Sequence, residues 1–571
     1  MSRIITRREF LKGTAAAAAA AGLSGPGLLL KGDASRKDFD LVIKGGLVYD
    51  GSGRAGFGAD IGIRDEMISA VGRIPENRAA AVIEAKGLAV SPGFIDLHAH
   101  TDVELLVNPK AESSIRQGIT TIVSGNCGSS GCTVPDEVYE ETVADLKEIY
   151  NLDLTWRDIK GFMARLEKNG TALNYSTLVG HGDIRGEAMG YGDRPPSTEE
   201  LDKMKALVRQ NLLDGAAGMS SGLEYTPGSF ARPEELSALG RVVAERGGVY
   251  TTHMRDEGDR LLESLDESIG VARESGVSLQ ISHFKVAYPR NWPKIDAALA
   301  RLEAAKKGGL NIFCDRYPYI AGATGLSFYF PAWAREGTTE DFLKRLQDSS
   351  LETRIRGHLA EAEKKLGSWD KVVISDVVTE KNKFAEGKNI LEAAAAAGKE
   401  PFVFMRDILL EEKGRVGMVI FMMKEENLKR ILAHPLVSLG TDGSSLAPYG
   451  PLGLGKPHPR HYGTFARVLG KYVRQEKILP WEAMIRKMTS LAADKFHFRK
   501  RGLVKAGYFA DLVVFNPDTV LDKATWVEPH QYPEGIDYVL VNGQVVVERG
   551  EHTGRLPGKI LKPLAHKNSS D

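Results

Sequence analysis

Five histidines, a cysteine and an aspartate each stand directly behind a strand-like run, and this arrangement limits the folds open to the chain more than any other feature. The clearest case is Ser91-Pro92-Gly93-Phe94-Ile95-Asp96-Leu97-His98-Ala99-His100-Thr101-Asp102, with Ala81-Val82-Ile83 and Leu88-Ala89-Val90 leading into it. A strand turns alternate side chains to one face, so His98 and His100 project together. Two imidazoles on one face make half of a metal site. Taken alone, such a pair is more often two satisfied histidines in a turn. Here Cys127 follows the next run, in Gly-Asn-Cys-Gly, and His181 stands in Val-Gly-His-Gly. His253 stands in Thr-Thr-His-Met-Arg, His283 in Ile-Ser-His-Phe-Lys, and Asp442 in Leu-Gly-Thr-Asp-Gly. Imidazole, thiolate and carboxylate are all ligands that zinc accepts.

The strand-like runs near 119–123, 176–179, 217–220, 249–252, 278–282, 311–314 and 437–440 alternate in part with amphipathic helical stretches at 199–213, 233–246 and 296–307. With the strand before His98 the count reaches eight. Such alternation predicts a parallel sheet closed as a (β/α)8 TIM-like barrel, an α/β fold whose active site lies at the C-terminal ends of the strands. One interval breaks the rhythm. More than a hundred residues separate Asp315 from Asp442, too many for one βα unit, so residues 325–423 are expected to form an inserted lid subdomain. Both ends of the chain are β-rich. Leu41-Val42-Ile43, Lys44-Gly45-Gly46 and Leu47-Val48-Tyr49 read as strand, turn and strand, and Asn542-Gly543 between apolar runs signals a hairpin. The expectation is one discontinuous small β-sandwich domain made of residues 36–91 and 501–562. It flanks a barrel at 92–500, and a short tail follows at 563–571.

Balanced charge, 75 basic and 75 acidic residues in 571, offers no basic stripe for nucleic acid and no acidic tail. Residues 1–35 are expected to be a targeting segment. Arg7-Arg8-Glu9-Phe10-Leu11-Lys12 precedes an uncharged, alanine-rich run from Gly13 to Leu30, which resembles a twin-arginine export signal. The run is too weakly apolar for a stable membrane span, which takes roughly 20 apolar residues. The implied partner is the twin-arginine export machinery, which carries folded proteins to the periplasm or beyond. Three cysteines, Cys127, Cys132 and Cys314, are too few and of the wrong parity for a disulfide framework. A Cys127–Cys132 disulfide is the competing assignment for that pair. No motif reports on oligomeric state.

The Gly93-to-His100 segment, the late Asp442 and the closing Lys505-Ala506-Gly507-Tyr508-Phe509-Ala510-Asp511-Leu512-Val513 resemble the amidohydrolase superfamily. Asn126-Cys127-Gly128, Thr252-His253-Met254-Arg255, Ser282-His283-Phe284-Lys285, Ser220-Ser221-Gly222-Leu223-Glu224-Tyr225 and the Tyr317-Pro318-Tyr319 region narrow the resemblance to the N-acyl-D-amino-acid deacylases. It runs from about Asp38 to Lys562.

That resemblance implies a metal-dependent hydrolase with one tight Zn2+ site and a second, weaker one. Cys127, His253 and His283 would hold the tight ion. His98 and His100 would belong to the weaker position, and Asp442 would touch the metal and act as the base. Many superfamily relatives bridge two metals with a carboxylated lysine. No lysine here has that context, and Cys127 takes the place. Lys285 would meet the substrate carboxylate, helped by Tyr317 or Tyr319, while His181 would line the substrate or its oxyanion. Phe328, Tyr329, Phe330 and Trp333 would line the acyl or side-chain pocket, or else form the insertion's core. The implied substrate is an N-acyl-D-amino acid or small D-peptide. The alternatives are a cyclic-amide hydrolase resembling dihydroorotases or hydantoinases, and a non-catalytic exported protein that binds a metal or ligand.

Overall fold

Short Val- and Ile-rich runs bounded by glycine build the sheet that holds the two ends of the chain together. In the computed structural model, which describes residues 37–564, Phe39–Val48, Phe57–Arg64, Met67–Gly72, Ala79–Glu84 and Ala89–Pro92 join Leu512–Phe515, Ile536–Val541, Gln544–Glu548 and Glu551–His552 in one nine-stranded sheet. The expected export segment, and all but the first two residues of the expected tail, lie outside the described residues. Ala89–Pro92 is the joining strand, parallel to Phe39–Val48 on one side and antiparallel to Leu512–Phe515 on the other. Ile43, Ile61, Ile68, Leu512, Val514 and Leu540 share its core. The Asn542-Gly543 turn has φ of 47° and 78°, the left-handed pair that a two-residue hairpin needs. Lys44-Gly45-Gly46 differs from the sequence expectation. It is no turn but a bulge inside one continuous strand, where Gly45 N donates to the Asp60 carboxylate.

Eight parallel strands form the barrel: β1 (Phe94–Asp96), β2 (Ile119–Ser124), β3 (Asn174–Thr177, continued by Val179–Gly180), β4 (Gly218–Gly222), β5 (Val249–His253), β6 (Ser278–Ile281), β7 (Ile312–Arg316) and β8 (Val437–Leu439). Each pairs with the next in parallel. The ring closes where Leu97 N donates to Leu439 O, Asp442 N donates to His98 O, and Ala99 bridges Gly443. β2, β4 and β5 are buried along their whole length, as expected for strands covered on both faces. The strand read as leading into His98 belongs instead to the terminal sheet. Gly93 separates the two because a Cβ there would lie 2.1 Å from Thr120 Oγ1.

The helices follow local signals. Ser197 and Glu200 form a capping box at the start of α1 (Thr198–Asp214). Pro233 opens α2 (Pro233–Arg246), and left-handed Gly247 ends it. The interval expected to hold an insertion carries a sheet of its own, whose first strand starts at Ala321. Ala321–Gly325, Val372–Val377 and Val416–Phe421 make an antiparallel sheet. Its own core holds Tyr329 and Phe330, with Trp333 packed against it. Among the described residues no helix is long and apolar enough to cross a membrane.

Gly218→Ala is expected to lower stability by about 1–3 kcal/mol, because its Cβ would lie 1.9 Å from Val249 O across the β4–β5 ladder. Gly270→Ala, inside the helix Leu261–Ser275 with nothing within 4 Å of a Cβ, is expected to gain roughly 0.5–1 kcal/mol. Urea-unfolding midpoints of the two variants should therefore move in opposite directions.

Candidate metal centre

The C-terminal rim of the barrel gathers side chains from five strands. His98 and His100 follow β1, Cys127 follows β2, His253 ends β5, His283 follows β6, and Asp442 follows β8. Three of these residues hold the left-handed backbone that favours glycine: Cys127 (φ 54°), His283 (36°) and Asp442 (51°). Such conformations cost about 1–3 kcal/mol each and persist only where neighbours fix them. Here His283 N donates to Asp315 Oδ1 at 2.8 Å, and Asp442 N donates to His98 O at 2.7 Å. Gly128 N donates to Ser220 Oγ at 3.0 Å, just after Cys127.

The donor atoms crowd around the Cys127 thiol. Sγ lies 3.4 Å from His98 Nε2 and 3.5 Å from His283 Nε2. Asp442 Oδ1 lies 3.3 Å from His98 Nε2 and 3.1 Å from His100 Nε2. The His253 and His283 rings are 4.5 Å apart. Tetrahedral zinc with bonds of 2.0–2.3 Å separates its donors by about 3.3–3.6 Å, so this donor set fits such an ion. One group of four emerges, His98, Cys127, His283 and Asp442, and His253 and Glu257 adjoin it through His283. His253 Nδ1 is buried without a partner, while Nε2 meets Glu224 Oε2 at 3.0 Å.

Electrostatics favour the ligating forms. Burial pushes the Cys127 thiol up, but His98 and His283, with hydrogen bonds to His100 and His253, hold it well below the ordinary thiol value. Burial also opposes charge on Asp442, yet Arg460, His283 and His98 hold its carboxyl well below the usual range. His100 is raised to about 9: burial disfavours its cation, and the bonds to Asp442 and Cys127 outweigh that. These directions favour a thiolate and a carboxylate among imidazoles, a donor set that a bound cation would balance.

Carboxylates behind the donors fix their orientation. Asp315, fully buried, reaches His98 Nδ1 at 3.1 Å, takes the His283 amide, and accepts from Gln280 Nε2. Glu257 lies 3.1 Å from His283 Nδ1 and accepts from Lys285 Nζ at 2.5 and 2.6 Å. Lys285 Nζ also meets His283 Nδ1 at 2.7 Å, so the lysine expected at the substrate carboxylate is committed within the protein. Arg460, which the sequence reading left out, donates from Nη1 to Asp442 Oδ2 at 2.7 Å and lies over the Tyr317 ring. Its Nε is buried without a partner.

A cavity of about 390 Å3 opens onto this cluster, lined by Cys127, His100, His253, His283, Asp442, Arg460, Lys285, Tyr317, Glu224, Tyr225 and Phe328, among others. His181 and Tyr319 are not brought to it. His181 starts a helix and bonds Glu235 at 2.8 Å; Tyr319 Oη turns to Pro459 O and Asp522, each at 3.4 Å. Of the insertion's aromatic residues only Phe328 reaches the cavity. Asp315, Glu257 and Arg460 are the functional residues that strand-end reasoning passed over. Asp315 sits within β7, Glu257 in the turn after β5, and Arg460 in the Pro-His-Pro-Arg stretch beyond β8. The three cysteines are free, which removes the Cys127–Cys132 disulfide; Cys132 Sγ instead meets Tyr175 Oη at 3.2 Å.

A closed parallel barrel whose rim carries imidazoles, a thiolate and a late aspartate belongs to the class of metal-dependent hydrolase barrels. The chain belongs to the amidohydrolase family, whose model matches residues 81–547. A twin-arginine translocation pathway signal sequence matches residues 5–24. The chain is 35% identical over 527 residues to an N-acyl-D-glutamate deacylase of Alcaligenes xylosoxydans xylosoxydans, covering 92% of this chain and 97% of the other. It is 34% identical to a D-aminoacylase of the same organism, covering 92% and 98%. The crystal structure of N-acyl-D-glutamate deacylase from Bordetella bronchiseptica, complexed with zinc and a phosphonate inhibitor that mimics the tetrahedral intermediate, superposes with a TM-score of 0.78 at 33% identity, covering 92% of this chain and all of that one.

Metal-depleted protein at pH 7 is expected to be alkylated by iodoacetamide at Cys127 well before Cys132 or Cys314, whose thiols burial pushes up. Peptide mass spectrometry reads the order. Equal labelling of the three, or labelling of Cys127 last, would contradict the thiolate assignment.

Proposed function

We propose that this protein hydrolyses the amide bond of N-acyl-D-amino acids, or of small D-amino-acid peptides, releasing a D-amino acid. The observation that carries the reading is the cluster of Cys127, His98, His283 and Asp442, whose ligand atoms lie within 4.8 Å of one another and of which Cys127, His283 and Asp442 line the cavity. Zinc would sit in one tight position, held by Cys127, His253 and His283, while His98 and His100 would belong to a second, weaker one and Asp442 would touch the attacking water. When bound there, zinc supplies Lewis acidity, making a water acidic near neutral pH and polarising the amide carbonyl.

The protein's own groups do the rest. Asp442 Oδ1 faces the cluster while Arg460 holds Oδ2, so one oxygen is left to take the proton of the attacking water. The same oxygen then returns that proton to the departing amine, as base and acid in turn. Arg460 and Tyr317 share one side of the cavity, and the orphaned Arg460 Nε supports a carboxylate-binding role for this pair. Lys285 adds positive potential there and, through Glu257, fixes the His283 ring. Relatives named for N-acyl-D-glutamate and N-acyl-D-aspartate support the D configuration. The signal match supports export by the twin-arginine machinery, with the enzyme acting in the periplasm or outside the cell. A cyclic-amide hydrolase built on a bridging lysine finds no support here: Lys285, the lysine at the cluster among the described residues, is paired with Glu257.

Zinc-loaded protein is expected to release amine from N-acetyl-D-amino acids and not from their L forms. Asp442→Asn should cut the rate by about 10^2–10^4-fold while the protein stays folded. No release from either panel by folded, metallated protein would overturn the reading. Asp315→Asn is expected to weaken zinc binding about 10–100-fold in chelator competition. Unchanged affinity would show that Asp315 does not orient His98.

A further inference from the structure

A second cavity of about 300 Å3 adjoins the first, and the two share Tyr191, Tyr225 and Thr226 as a common wall. Its dominant feature is Arg335, contributed by the insertion. The guanidinium donates from Nε to Phe330 O at 3.0 Å and from Nη2 to Glu224 O at 3.4 Å. Both partners are main-chain carbonyls, and among the described residues Arg335 forms no ion pair. Glu224, whose carboxylate comes near, spends it on His253. Burial lowers the Arg335 pKa below the ordinary arginine value, and nearby Tyr225 and Glu224 offset that only in part, which expresses the cost of a half-buried cation with no directly bonded counter-charge. No carboxylate lines the cavity. Thr338 and Thr339, at the N-terminus of the nine-residue helix Thr339–Gln347, face it as well, and Asp341 already caps that end. Arg335 is therefore the charged group lining the cavity, and a carboxylate on the substrate is a group that would pair with it.

Position in the ring selects which part of the substrate that is. Tyr225 and Thr226 follow β4, whereas Arg460 follows β8. In a closed ring of eight strands, β4 and β8 stand opposite each other. With the α-carboxylate on the Arg460 side and the scissile carbonyl over the donor cluster, the acyl chain runs towards β4 and the second cavity.

We propose that this cavity is an anion-accepting acyl subsite, and that the preferred substrates are D-amino acids acylated by a dicarboxylic acid, such as succinyl or glutaryl. The inference rests on the deacylase reading above. Hydrolysis then adds water across the amide, giving the dicarboxylate and the free D-amino acid.

The test compares N-succinyl and N-acetyl derivatives of one D-amino acid on zinc-loaded holoenzyme. The wild type is expected to favour the succinyl form by about tenfold or more in kcat/KM, as befits one charge-assisted bond to a half-buried guanidinium. In Arg335→Met the ratio should fall towards one, and Arg335→Lys should restore part of it. A ratio measured within one preparation does not depend on the fraction folded. If a variant fails to fold, the wild-type ratio alone still decides. Equal use of the two substrates by the wild type, or a preference that survives Arg335→Met, would overturn the acyl subsite and leave the deacylase reading standing. Absence of turnover on both forms by folded, metallated protein would overturn the deacylase reading, and this inference with it.

Discussion

The seam between β8 and β1 carries the most weight in this structure. The fully buried Asp96 carboxylate accepts from Thr441 N at 2.9 Å, from Thr441 Oγ1 at 2.6 Å and from His98 N at 3.1 Å. Burial raises its pKa to about 7, against the pull of those three donors. The contact closes the barrel, and it also sets His98 and Asp442 face to face across 344 positions of sequence. A barrel that failed to close here would lose the contact between His98 and Asp442, and with it the shape of the donor cluster.

Around that seam the rim works by mutual neutralisation. The thiol of Cys127 is acidic because imidazoles surround it, and those imidazoles are oriented by Asp315 and Glu257 behind them. Lys285 on Glu257 and Arg460 on Asp442 complete the pattern, one cation for each of these carboxylates. The three left-handed donor residues fit the same logic. Their backbone cost is met by hydrogen bonds to Asp315, His98 and Ser220, groups that also shape the centre. Stability and chemistry thus draw on one set of contacts, and a substitution behind the donors is felt at the donors.

The strand-end donors were legible in the sequence because each terminates a β run, and a barrel brings such ends together. That pattern singles out His98, His100, Cys127, His253, His283 and Asp442, and His181 with them. Arg460 was not legible, since the first residue of the helix Arg460–Arg467, 18 positions beyond Asp442, follows no strand that would point it inward. Asp315 reads as one more strand residue, and its inward direction depends on the register of β7 against β6. His181 misled for the opposite reason: the helix begins at His181 itself and swings the ring to Glu235. The first barrel strand is only three residues long, too short to show a period of two, so the run before it was assigned in its place. The paired sheet at the two ends was legible as two β-rich segments, but the strand that joins them was not.

That joining strand has a consequence in time. Ala89–Pro92 finds one of its neighbours in Leu512–Phe515, about 420 residues later, which at a synthesis rate of 5–20 residues per second means a wait of roughly 20–80 s. Until the far partner leaves the ribosome, one side of the joining strand is unsatisfied and open to wrong pairing. The sheet cannot be completed before its second half has been made. In a chain that carries a twin-arginine signal at its other end, the joining strand thus ties the first-made segment of the fold to one of the last described.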